Sequence, residues 1–180
     1  MRVFTIIVTP IILFACTSRT KNKVTYLDLS NQKLKVVPDS VFRHKELQTL
    51  LLGNTFTIYP PLSALGKDRF TEETHNTIRL IQEDIEQLKH LKTLSLSGND
   101  LRSLPKALST LSELDTLDLF YNSNLDITKE LITLKKMTHL KYLGLIGTRL
   151  NRATANELKQ SLPDTRVVTT MDDLEEEALH

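Results

Sequence analysis

The apolar residues of this chain recur in a pattern that is neither helical nor simply alternating. Across 91–105, Leu-Lys-Thr-Leu-Ser-Leu-Ser-Gly-Asn-Asp-Leu-Arg-Ser-Leu-Pro, they fall at Leu91, Leu94, Leu96, Leu101 and Leu104, with an asparagine at Asn99. Leu94 and Leu96 flank one polar residue, which predicts a short strand with that residue on the opposite face, because side chains alternate along a strand. Asn99 ends the strand. The chain must then turn where its backbone groups are cut off from water, and a buried amide, carrying donors and an acceptor, can satisfy them. Leu101 and Leu104 turn back into the core, and Pro105 opens the return path.

A unit of this kind cannot bury its own apolar edge, so it has meaning only if it recurs. With Leu91 as position one, Leu114, Leu117, Leu119 and Asn122 repeat it after 23 residues (114 − 91 = 23). Val24, Leu27, Leu29, Leu34, Val37 and Pro38 form an earlier copy with Gln32 in the Asn position. Leu47, Leu50, Leu52, Asn54, Phe56, Tyr59 and Pro60 form another, one residue short in its turn, and Leu140, Leu143, Leu145, Thr148 and Leu150 form the last. Residues 68–90 are irregular. Asn76, Ile78, Ile81, Ile85 and Leu88 keep the register, but counting 23 back from Leu91 places Thr71 and Glu73 at buried positions. A buried unpaired carboxylate is costly, so a loop is expected there.

These positions resemble the pattern L-x-x-L-x-L-x-x-N-x-L-x-x-L-P of leucine-rich repeat proteins of the bacterial type, over roughly residues 24–168. The resemblance implies an α/β leucine-rich repeat solenoid of about five to six repeats, an arc with a short parallel β-sheet on its concave face. Strands are expected near Leu27–Leu29, Leu50–Leu52, Leu94–Leu96, Leu117–Leu119 and Leu143–Leu145, with Asn54, Asn76, Asn99 and Asn122 as structural turn amides. The return segments are short, so turns and short helical pieces should form the outer face. Lys129–Met137 is long enough for two helical turns, with Leu131, Ile132, Leu134 and Met137 facing inward. After Leu150, a helix over Ala153–Ser161 ended by Pro163, then an edge at Val167 and Val168, reads as the cap that a solenoid needs over its terminal core.

Composition changes this picture at the two ends. The chain has 180 residues and a net charge of +1, which fits one domain and disfavours nucleic acid as a partner. Residues 169–180, with Asp172, Asp173, Glu175, Glu176 and Glu177, are expected to form a solvated, disordered acidic tail. The single cysteine, Cys16, cannot form an internal disulfide. Residues 1–15 read as a signal peptide, one positive charge followed by an apolar run too short to span a bilayer. Leu13-Phe14-Ala15-Cys16 resembles the lipobox of bacterial lipoproteins, with Phe14 departing from the usual residue. That resemblance implies acylation of Cys16, which becomes the first mature residue, and residues 16–23 then form the anchor and a short tether. Thr17 stands where an Asp would signal retention at the inner membrane, so the outer membrane of the cell envelope is favoured, facing either the periplasm or the surface.

No nucleotide-binding loop, G-x-S-x-G, H-E-x-x-H or paired C-x-x-C occurs in the sequence, so no catalysis, cofactor or metal is expected. Glu72, Glu73 and His75 supply the one acid–base cluster, and Glu73 with His75 defines a further alternative, an unrecognised hydrolase. The expected function is binding of another protein through the concave face, the alternative being a surface-exposed adhesin or a structural envelope protein. The register aims Tyr26, Asp28, Asp118, Phe120, Tyr121, Tyr142 and Ile146 away from the core as the partner-binding set, the rigid aromatics supplying contact area at low entropic cost. A monomer is expected.

Overall fold

The computed structural model of the chain describes residues 23–54 and 74–175. Cys16, Phe56, Tyr59 and Glu73 lie outside them, as do the proposed signal peptide and residues 176–180. Six three-residue strands, β1 (Tyr26–Asp28), β2 (Thr49–Leu51), β3 (Thr93–Ser95), β4 (Thr116–Asp118), β5 (Tyr142–Gly144) and β6 (Arg166–Val168), form one parallel sheet in sequence order. In register, Leu27, Leu50, Leu94, Leu117, Leu143 and Val167 lie side by side. The interior four of these leucines are fully buried, as the leucine spacing requires. The returns are short 3₁₀ turns at Val41–Arg43, Glu83–Gln87 and Lys106–Thr110, followed by α1 (Ile127–Leu134) and α2 (Arg152–Ser161).

The buried asparagines tie consecutive repeats together. Asn122 Nδ2 donates to the carbonyls of Leu119 and of Leu96 one repeat earlier, both at 3.0 Å, while its Oδ1 accepts from Leu101 N at 3.1 Å. Asn99 does the same with Leu96 O, Leu52 O and Ile78 N. Asn76 continues the series: Nδ2 donates to Leu52 O and Leu29 O, and Oδ1 accepts from Leu34 N. At the last turn Thr148 Oγ1 reaches only its own Leu145 O, at 2.7 Å. One hydroxyl donor cannot span two repeats as an amide does.

Asn76 therefore belongs to the repeat that starts at Leu47, which corrects the register expected for residues 68–90. β2 pairs directly with β3, Thr49 beside Thr93, so the sheet has no place for a strand between them. Residues 55–75 are an insertion of 21 residues within the turn of one repeat, and 91 − 47 = 44 is one period of 23 plus those 21. Asn54 has a different role from the other three amides. Its Oδ1 accepts from Asn76 N at 2.7 Å and its Nδ2 donates to Asn76 O at 2.9 Å and to Gly98 O, so it clasps the two ends of the insertion together.

Two further expectations are corrected. In α1 Ile127, Glu130 and Leu134 are buried, and Leu131 and, just past the helix, Met137 also pack on the core as expected, but Ile132 is exposed. The helix starts at the N-cap Asp126, whose carboxylate accepts from Thr128 N, and this phase puts residue 132 on the opposite face. Burial pushes the Glu130 carboxyl above its ordinary value. The acidic end is also structured through residue 175, the last one described, where α3 (Asp172–Glu175) forms. Asp173 accepts from Thr169 N, Thr169 Oγ1, Thr170 N and Lys159 Nζ at 2.7–3.0 Å. Burial pushes its carboxyl up, but these donors outweigh that and hold it well below the usual carboxylate range.

Deleting residues 55–75 and joining Asn54 to Asn76 restores a 23-residue repeat, Leu-x-x-Leu-x-Leu-Gly-Asn-Asn-Thr-Ile. This variant is expected to fold with a melting temperature by circular dichroism no lower than that of the parent; loss of the cooperative transition would refute the assigned register. Asn99→Ala leaves the buried Ile78 N unpaired and takes one of two amide donors from each of Leu52 O and Leu96 O, and is expected to cost about 1–3 kcal/mol in denaturant unfolding. Gln32→Ala, at the same repeat position but exposed, is expected to stay within about 0.5 kcal/mol.

Candidate protein-binding face

The outward side chains of the strands stand in columns across the concave face. Ahead of each central core residue come Tyr26, Thr49, Thr93, Thr116, Tyr142 and Arg166, and after it Asp28, Leu51, Ser95, Asp118, Gly144 and Val168, the last of them buried. The expected binding residues therefore fall into two groups. Tyr26 and Asp28 sit on β1, while Asp118, Phe120, Tyr121 and Tyr142 gather at β4 and β5, roughly 15–20 Å away at the usual strand spacing. Between them lies a shelf of Thr49, Thr93, Ser95 and Thr116.

At the β4–β5 end three rings make one cluster. Phe120 meets Tyr121 edge-to-face at 6.2 Å and Tyr142 at 6.4 Å between ring centroids. Gly144 gives the Phe120 ring its seat, because a Cβ there would lie 2.7 Å from Phe120 Cε1. Gly147 does the same for Tyr121, with 2.7 Å to Cδ1. The spacing rules single out the rings but not these two glycines. The one signal for Gly144 is a glycine at a strand position filled by larger side chains in every other repeat, whereas Gly147 shares its turn position with Gly98.

Asp118 is largely committed to the fold. Its Oδ1 accepts from Phe120 N at 3.0 Å and its Oδ2 from Ser95 Oγ at 3.0 Å. Asp28 holds Ser30 N in the same way at 2.9 Å. Both carboxylates cap the end of a strand before the turn, which accounts for Asp at that position without a partner. Ile146 is corrected: it is 8% exposed and does not line the surface. Its turn lies between the Tyr121 repeat, whose amide bonds Ile146 O at 2.7 Å, and the end of β6, where Leu145 N bonds Val168 O.

The backbone at Tyr121 is unusual. In four of the repeats the eighth position turns through the left-handed region, and Asn31 (φ 54°), Gly98 (φ 67°) and Gly147 (φ 74°) occupy it with residues that tolerate that geometry. Tyr121 holds it at φ 55°. For a bulky side chain that conformation costs about 1–2 kcal/mol.

His75, of the acid–base cluster, is partly buried, and Glu73 is outside the described residues. Among the described residues no group of His, Cys, Asp and Glu side chains could hold a metal ion, and no helix is long and apolar enough to cross a membrane.

A leucine-rich repeat family model matches residues 74–123. No curated protein matches the chain. Among solved structures the chain is similar to a leucine-rich repeat protein of Leptospira interrogans, at 25% identity and a TM-score of 0.60, over 79% of this chain and 30% of that one. It thus spans less than a third of that protein's length. Internalin C2 of Listeria monocytogenes is also similar, at 18% identity and a TM-score of 0.38, over 83% of this chain and 75% of that one. With six parallel strands stacked in register behind a buried asparagine series, the chain has the leucine-rich repeat fold.

Proposed function

We propose that the chain is an envelope-anchored lipoprotein that captures another protein on its concave face, through Phe120, Tyr121 and Tyr142, without catalysis. The observation that carries this reading is Tyr121. A strained residue persists where the rest of the structure holds it in place, and such residues concentrate at binding and switch positions. Gly or Asn fills this position elsewhere in the chain, so the fold itself does not require a tyrosine. The ring is set beside Phe120 in a cluster that presents rigid aromatic area next to hydroxyl groups, a composition enriched in protein–protein contacts.

Anchoring rests on the sequence around Cys16. Cleavage before it leaves seven residues, 17–23, which reach at most about 25 Å, so the domain would stay close to the bilayer. Firm attachment needs more than one acyl chain, as a single buried chain gives only marginal binding. The Thr17 position favours the outer membrane.

Tyr121→Asn tests the binding face. Asn tolerates the left-handed turn, so relief of strain offsets the lost ring packing and the melting temperature is expected to stay within about 3 °C of the parent. Capture of the partner, read by quantitative cross-linking in native membranes, is expected to fall at least about tenfold if the ring is an anchor worth about 1.4 kcal/mol or more. Full capture by the folded variant would remove this face from the proposal. For the anchor, labelled fatty acid is expected to enter the parent chain and not Cys16→Ala; label in the variant would refute it.

A further inference from the structure

The solenoid is finished differently at its two ends. At the C-terminal end α2 and α3 close on β6, Asp173 pins α3 to Thr169 and Thr170, and Val167 and Val168 are buried. At the N-terminal end Val24, Leu27, Leu29 and Leu34 are only half-buried, although the equivalent residues of interior repeats are fully covered. Tyr26 is 58% exposed there. β1 is the edge of the sheet, and among the described residues nothing pairs with its outer side. Thr25 O accepts from Gln48 N and Thr49 N, and Leu29 N donates to Leu51 O. The peptide groups of residues 25, 27 and 29 therefore face β2, and by alternation those of Tyr26 and Asp28 face outward. An edge with no proline and no bulge is a template for another strand.

We propose that this edge pairs with the same edge of a second copy, β1 antiparallel to β1 about a two-fold axis at Leu27, so that two six-stranded sheets join into one. The register follows from the residues present. Centring the axis on Asp28 would set two like charges opposite each other, which is destabilising. Centring it on Tyr26 would leave Leu27 without its counterpart. Centring it on Leu27 sets Tyr26 opposite Asp28 of the other copy, and these outward peptide groups exchange about four main-chain hydrogen bonds across the axis. Asp28 uses Oδ1 for Ser30 N, which leaves Oδ2 available to the tyrosine hydroxyl of the other copy. Leu27 then meets its own copy in a non-hydrogen-bonded pair, where side chains approach most closely, and each covers the half-buried core of the other. A contact in which one patch meets itself closes as a dimer and does not propagate.

The register is tested by cross-linking in the full chain with Cys16→Ala, which removes the native thiol. Leu27→Cys is expected to form a disulfide dimer on mild oxidation, because residues facing across the axis have Cα atoms about 4.5–5.5 Å apart, within disulfide reach. Tyr26→Cys is expected not to, its copy being displaced by two residues. If Leu27→Cys does not fold, Thr25→Cys mixed with Leu29→Cys probes the same register. In light scattering at about 10 μM, the otherwise unaltered chain is expected to have the mass of a dimer, and Tyr26→Pro, which removes an outward amide and keeps every bond to β2, that of a folded monomer. A monomeric parent chain, a dimer that survives Tyr26→Pro, or seating of this end as a monomer on phosphatidylglycerol vesicles would each overturn the proposal.

Discussion

A carbonyl at the end of a buried strand has to be satisfied inside the molecule, and the rest of this structure depends on how that is done. The position-six carbonyls of Leu52 and Leu96 each accept from two asparagine amides, one from their own repeat and one from the next. The amide oxygens accept in turn from the backbone of the preceding repeat. Leucine burial supplies the drive to stack but not the phase, because leucine packs against leucine at many offsets. The amides admit one offset, and the sheet register follows from it.

The leucine spacing made the strands and the inward faces legible in the sequence, since period and alternation are sequence properties. The misplaced repeat was not legible, for an arithmetical reason with a physical origin. Counting back from Leu91 gives Asn76 and Ile78 the same positions whether residues 55–75 are a decayed strand or an insertion. The two readings differ only in which strand lies beside β3, and that is a matter of backbone pairing. Thr71 and Glu73 at nominally buried positions were the trace of it. The length of the insertion, so close to one repeat, let the count pass over it.

On the concave face the sequence located the aromatic residues but not their condition. Alternation says which side a residue occupies; it does not say that Phe120 rests on Gly144, that Asp118 is occupied with Phe120 N, or that Ile146 is enclosed. The left-handed turn at position eight was closer to legible. Asn31, Gly98 and Gly147 recur at that spacing, and Tyr121 stands out among them as the residue whose presence the turn alone does not explain.

The clasp between Asn54 and Asn76 makes the chain's exit and re-entry points immediate neighbours. A loop whose ends are already held together adds closure entropy only logarithmically, about 0.6 kcal/mol for each doubling of its length. The solenoid is therefore nearly indifferent to what is threaded between those two amides. Sequence there can lengthen, shorten or be exchanged outright while the stack keeps its phase, so this turn is a port at which the molecule can acquire new surface without refolding its core.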